Sequence, residues 1–154
     1  MWSGYIIPFL TILFSYFLGL FSNKATKKDV VDLKRYETFY VPFMSKTMHL
    51  SYSKQKHSKL PLHIRREFTN LIMENIQYLG KDSSKIIPEY YYLSAEIITL
   101  ELDKRLPDIE SDLERVYQNL EIAILQEAES LSKSLKYPNL ARVILNDIES
   151  KIKN

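Results

Sequence analysis

Three histidines, His49, His57 and His63, fall within fifteen residues and are the first place to look for metal or acid–base chemistry. No carboxylate or thiol lies among them, and their spacing does not put them on one helix face, so they read as solvated loop histidines. A dense acidic run (Glu101, Asp103, Asp108, Glu110, Asp112, Glu114) suggests a carboxylate-bridged metal bundle. That chemistry needs a histidine three residues after a glutamate on a helix, and residues 67–154 contain no histidine. The run therefore reads as a solvated helix face. No metal and no cofactor is expected.

The chain has no cysteine, which excludes disulfides, thiolate metal sites, thiol nucleophiles and lipidated cysteines. Its three glycines build no phosphate-cradling loop, and no serine-hydrolase elbow, zinc-protease, dinucleotide or calcium-loop pattern occurs. The expectation is a binding protein and not an enzyme. The best candidate for a partner surface is Tyr90-Tyr91-Tyr92. Three consecutive tyrosines on a helix point in different directions, so at least one faces outward, and tyrosine is favoured at protein interfaces.

The elements that carry these residues are helical. Thr26-Lys27-Lys28-Asp29 resembles a capping box, followed by apolar positions at Val30, Leu33, Tyr36, Tyr40, Phe43, Met44 and Met48. The aromatic residues of this stretch are expected in the core, and Pro42 is expected to kink or end the helix near Val41. Residues 49–60 read as a polar loop. Pro61 opens a helix with a stripe at Ile64, Phe68, Leu71, Ile72, Ile76 and Leu79, stopped by Gly80. Residues 82–85 read as a turn, and a further helix begins near Pro88. The longest stripe runs from Ile109 through Leu113, Val116, Tyr117, Leu120, Ile124, Ala128 and Leu131 to Leu135, and is broken by Pro138. Glu127 falls on its seam, which argues against a coiled-coil rod and for a bundle. Leu140 to Ile152 forms a last amphipathic helix. No stretch alternates with a period of two. The predicted fold class is all-α, a single N-terminal transmembrane helix followed by a four- to five-helix bundle.

Trp2 to Phe21 is twenty residues without a charged side chain. As a helix it would be about 30 Å long, the thickness of a hydrocarbon core. Residues 1–23 are thus assigned as a membrane anchor, with Trp2 and Tyr5 at one end as interfacial aromatics and Ile6, Phe9, Leu13, Phe17 and Phe21 among its apolar residues. No basic residue precedes the run and no small-x-small site follows it, so an uncleaved anchor is expected. Thr11, Ser15 and Gly19 recur every four residues, a spacing that allows helix pairing and hence a homo-oligomer. Residues 24–66 hold eleven Lys/Arg against three acids, a balance of +8, and the remainder holds ten against sixteen, −6. Lys24, Lys27, Lys28, Lys34 and Arg35 follow the anchor directly. The positive-inside bias then places the N-terminus outside and residues 24–154 in the cytoplasm, with the basic segment against anionic lipid. Nucleic acid is not expected as a partner, because the basic loop carries one aromatic, Tyr52, and no recognition motif.

At Lys34-Arg35-Tyr36-Glu37-Thr38-Phe39-Tyr40-Val41-Pro42-Phe43-Met44, and at Leu71-Ile72-Met73-Glu74-Asn75-Ile76-Gln77-Tyr78-Leu79-Gly80, the chain resembles small membrane-anchored prophage proteins of low-GC Gram-positive bacteria, of the superinfection-exclusion type. The resemblance implies a membrane-held factor that stops the DNA of a second phage from reaching the cytoplasm through contact with a phage or host membrane protein. It assigns no functional residues. A host scaffold or assembly factor for cell-envelope machinery is the alternative with the same topology.

Overall fold

The computed structural model describes residues 27–53, 56–101 and 107–152. The chain divides into two compact units, Met1–Lys34 and Arg35–Asn154. The assigned anchor, with Trp2, Tyr5, Ile6, Phe9, Leu13, Phe17 and Phe21, and the basic residue Lys24 lie outside the described residues. Among those described, no helix is long and apolar enough to cross a membrane. In the first unit residues 27–34 are helical, and Lys27, Lys28 and Lys34 are exposed.

Every regular element among the described residues is helical, so the all-α expectation holds. Helix α1 covers residues 27–35. A π-helical turn, Tyr36–Tyr40, is followed by α2 (Val41–Ser53), a 3-10 turn (His57–Lys59), α3 (Leu62–Glu74) and a second 3-10 turn (Ile76–Tyr78). Then come α4 (Lys81–Glu101), α5 (Pro107–Ser134) and α6 (Leu140–Ile152). The second unit is a bundle with α5 as its spine, against which α4, α6, the π turn and the first 3-10 turn all pack. The α5 stripe is the one its sequence spacing predicts. Leu113, Val116, Tyr117, Leu120, Ile124, Ala128 and Leu131 are buried at steps of three and four. Phe39, Phe43, Phe68, Ile72, Ile97 and Leu145 close on it from the neighbouring helices.

Pro42 does not end its helix. The Val41 amide donates to the Tyr36 carbonyl, five residues back, and the widened turn leaves room for the proline ring beside the Thr38 carbonyl. The extra residue also re-aims the aromatic side chains. Tyr36, Phe39 and Tyr40 are all buried, which places this segment in the core, as its spacing led us to expect. Met48 is the exception at 46% exposed. Helix α2 then extends to Ser53, into the stretch read as loop.

Helix α4 begins at Lys81 and not near Pro88, which lies inside it. Helix α3 ends at Glu74, where the Asn75 side chain donates to the Leu71 carbonyl at 2.9 Å, earlier than the Gly80 stop. Helix α5 ends in a Schellman pattern. The Tyr137 amide donates to the Ser132 carbonyl at 2.9 Å and the Lys136 amide to the Lys133 carbonyl at 3.3 Å. Lys136 holds the left-handed position of that motif, with φ 58°. Asn139 then caps α6 through the Arg142 amide at 3.1 Å.

Candidate functional site

The three consecutive tyrosines separate as helix geometry requires. Tyr91 and Tyr92 are 51% and 64% exposed on α4. Tyr90 is fully buried. The candidate partner surface is therefore Tyr91 and Tyr92 alone, and Tyr90 is removed from it, because its ring meets Tyr117 of α5 and its hydroxyl meets Thr69 of α3.

Tyr90 belongs to a buried polar chain that local sequence reasoning missed. The His57 ring stacks on Tyr117 with centroids 3.6 Å apart and planes 6° from parallel, and Phe68 meets the imidazole edge-on. Thr69 Oγ1 donates to the Arg65 carbonyl one turn back at 3.0 Å. Its one proton is thereby used, so in the 3.1 Å contact with Tyr90 the threonine accepts and the tyrosine donates. The Tyr90 hydroxyl also meets His57 Nε2, 3.3 Å away. The other ring nitrogen, Nδ1, is buried without a hydrogen-bond partner among the described residues. Burial, reinforced by the Arg65 charge, pulls the His57 pKa down to about 3, so the ring is neutral. The expectation of three solvated loop histidines is thus corrected at His57, which is 3% exposed; His49 and His63 are exposed as expected, but they lie on α2 and α3 and not in a loop. The three are not brought together. Among the described residues no group of three His, Asp or Glu could hold a metal ion.

Beside this chain lies a cleft of about 240 Å³ between α3 and α4, lined by His57, Arg65, Arg66, Thr69, Tyr91 and Ser94 among others. Arg65 is buried in its wall, with Nε donating to the Leu60 carbonyl at 3.0 Å. Ser94 Oγ is buried beside the Tyr90 hydroxyl.

The acidic run does not behave as one solvated face. Asp112 is exposed, but Glu114 accepts the Ser58 amide at 3.0 Å and Glu110 pairs with Lys59, and both contacts hold the 3-10 turn onto α5. Further along α5, Glu121 is partly buried. Burial, and then repulsion from Glu114, push its pKa up to about 7 despite the opposing pull of Lys151.

At the far end, the seam residue Glu127 is a hydrogen-bond hub. Its carboxylate accepts the Gly80 amide at 2.9 Å, the Ser83 amide at 3.1 Å, the Ser83 hydroxyl at 2.8 Å and the Tyr40 hydroxyl at 3.0 Å. It caps the N-terminus of α4 from another helix, where orphan amides and the helix dipole favour an anion. Burial, then the Glu127 charge, push the Tyr40 phenol well above its usual range. Arg35 also belongs here. Its Nε donates to the Tyr78 carbonyl at 3.0 Å and its Nη2 to the Tyr40 hydroxyl at 3.4 Å, so it is partly buried in the bundle. The one signal for this hub in the sequence was a carboxylate interrupting an apolar stripe.

The features that bear on function are thus an exposed tyrosine pair, an adjoining cleft with two arginines, and a neutral buried histidine with one ring nitrogen unpartnered. No family model matches the chain, and neither does any curated protein or solved structure.

Proposed function

We propose that this chain is a membrane-anchored interaction protein of the superinfection-exclusion kind, a binding protein without catalysis. The reading puts residues 1–23 in the membrane as a single pass, N-terminus outside, with the helical bundle on the cytoplasmic side. The observation that carries it is the pair Tyr91 and Tyr92, consecutive and more than half exposed on a helix whose one other aromatic, Tyr90, is buried. Two large rings held on a rigid α4 offer contact area at small entropic cost. The uncharged run from Trp2 to Phe21 and the cations Lys24, Lys27, Lys28 and Lys34 support the anchoring and its direction. Anchoring confines the bundle to the membrane surface and so raises its effective concentration toward a membrane partner.

Expression in a phage-sensitive strain tests this directly. Adsorption should stay normal while transfer of phage DNA into the cell falls, and a Tyr91→Ser, Tyr92→Ser double variant should restore it. Unchanged plating across a broad phage panel would overturn the reading and favour a host scaffold.

A further inference from the structure

The corner where α5 ends and α6 begins differs in charge from the rest of its half of the chain. Residues 67–154 carry a balance of −6, yet residues 130–146 hold Lys133, Lys136 and Arg142 and no acid. All three cations are exposed. So are Tyr137, Leu140 and Val143, at 42%, 41% and 63%. Leu140 and Val143 are three residues apart and share one face of α6. One carboxylate answers the cations, because Glu129 pairs with Lys133 at 2.7 Å and lies 3.9 Å from Arg142. The Lys136 ammonium has no partner among the described residues. Lys136 also holds a left-handed position, φ 58°, that glycine would fill at lower cost. The bundle itself makes no use of that charge.

The corner lies at a particular end of the bundle. The Tyr137 ring meets Tyr36 with centroids 5.7 Å apart. Tyr36 follows directly on Arg35, the first residue of the second unit. Under the membrane reading, fourteen residues (35 − 21) separate Phe21 from Arg35. Residues 27–35 are helical, so this tether spans at most about 35 Å. The corner is held within reach of the bilayer surface.

We infer that the α5–α6 corner is a second contact with anionic lipid, in which Lys133, Lys136 and Arg142 meet phosphate headgroups and Tyr137, Leu140 and Val143 enter the interfacial layer. Cations beside an exposed apolar centre are the composition of surfaces that lie in a headgroup region, and tyrosine suits that depth. Each cation near an anionic surface strengthens the contact about fivefold, and the tether supplies a high effective concentration. The inference rests on the membrane reading and adds an orientation to it. Glu89, next to the exposed tyrosine pair, meets Arg115 at 3.2 Å. Arg115 lies about 30 Å along α5 from the corner, so Tyr91 and Tyr92 stay clear of the bilayer.

The test places the full chain in nanodiscs of phosphatidylcholine, alone or mixed with phosphatidylglycerol, each with a trace of lipid carrying headgroup-chelated gadolinium. In anionic discs the amides of Lys136, Tyr137, Leu140 and Val143 should broaden strongly, and that of Ser58, near the start of α5, little. Lys136→Gly removes one cation where the backbone favours glycine, and should weaken the contact about fivefold. Adding Arg142→Gln should weaken it roughly 25-fold, and high salt should act in the same direction. A chain that stays out of the discs defeats the membrane reading and this inference with it. A chain that enters them without broadening at the corner overturns the inference alone. Equal broadening in neutral and anionic discs also overturns it. So does a concentration-dependent shift of the corner amides in lipid-free micelles, which would show a second copy of the chain covering them.

Discussion

Glu127 and Gly80 lie 47 residues apart in the chain, yet the carboxylate of one accepts the amide of the other at 2.9 Å. The approach is so close that a Cβ built on Gly80 falls 2.3 Å from the Glu127 carboxyl carbon. A flexible side chain elsewhere would swing aside, but this one holds Gly80, Ser83 and Tyr40 together. Gly80→Ala should therefore cost about 1–3 kcal/mol in urea denaturation. In a Glu127→Ala background the same substitution should cost under about 0.5 kcal/mol, because the obstacle is gone. Additive losses would show that Gly80 is needed for some other reason.

Lys136 occupies a left-handed position that glycine fills without a Cβ penalty. Lys136→Gly should stabilise the bundle by roughly 0.5–1 kcal/mol, read as a higher urea midpoint at an unchanged slope. A loss of stability would mean that the lysine side chain contributes more than its backbone costs.

Two buried groups tilt stability with pH in opposite senses. His57 titrates at 6.5 when unfolded and near 3 when folded, so the unfolded chain binds the extra proton and stability falls as pH drops from 6.5 toward 3. Glu121 titrates at 4.5 when unfolded and near 7 when folded, so the folded chain holds the extra proton and stability falls as pH rises from 4.5 to 7. Glu121→Gln should leave stability at pH 4 almost unchanged and raise it by about 1–2 kcal/mol at pH 8. His57→Phe should flatten the acid side of the profile relative to the parent. Parallel pH profiles for parent and variants would contradict both assignments.

Tyr90 and its neighbours should separate in a mutational scan. Tyr91→Ser and Tyr92→Ser should leave stability within about 0.5 kcal/mol. Tyr90→Phe removes the relay between His57 and Thr69 and should cost about 1–3 kcal/mol. Thermal melts check the split, and equal losses at all three positions would mean that Tyr91 and Tyr92 are packed and not free to meet a partner.

Helices that carry their own apolar period were legible from sequence. The α5 stripe and the limits of α6 follow from spacing, Pro138 and the Asn139 cap, all local signals. The start of α4 was not legible. Lys81 to Lys85 has no apolar stripe, and what holds it helical is Glu127, which takes the Gly80 and Ser83 amides from another helix. Of the two outcomes expected at Pro42, a kink or an end, the end does not occur, because the π-helical turn before it, with Tyr36, Phe39 and Tyr40 buried, lets the helix continue. His57 looked like a loop residue because the ring that covers it, Tyr117, is supplied by α5. Long-range partners thus account for the misreadings at α4 and His57.

The division of the chain at Lys34 also gives the protein two separate optical reporters. Its one tryptophan, Trp2, belongs to the first unit, whereas all but two of its eleven tyrosines, Tyr5 and Tyr16, belong to the second. Tryptophan emission therefore follows the surroundings of the N-terminal unit, and near-ultraviolet tyrosine dichroism follows the packing of the bundle.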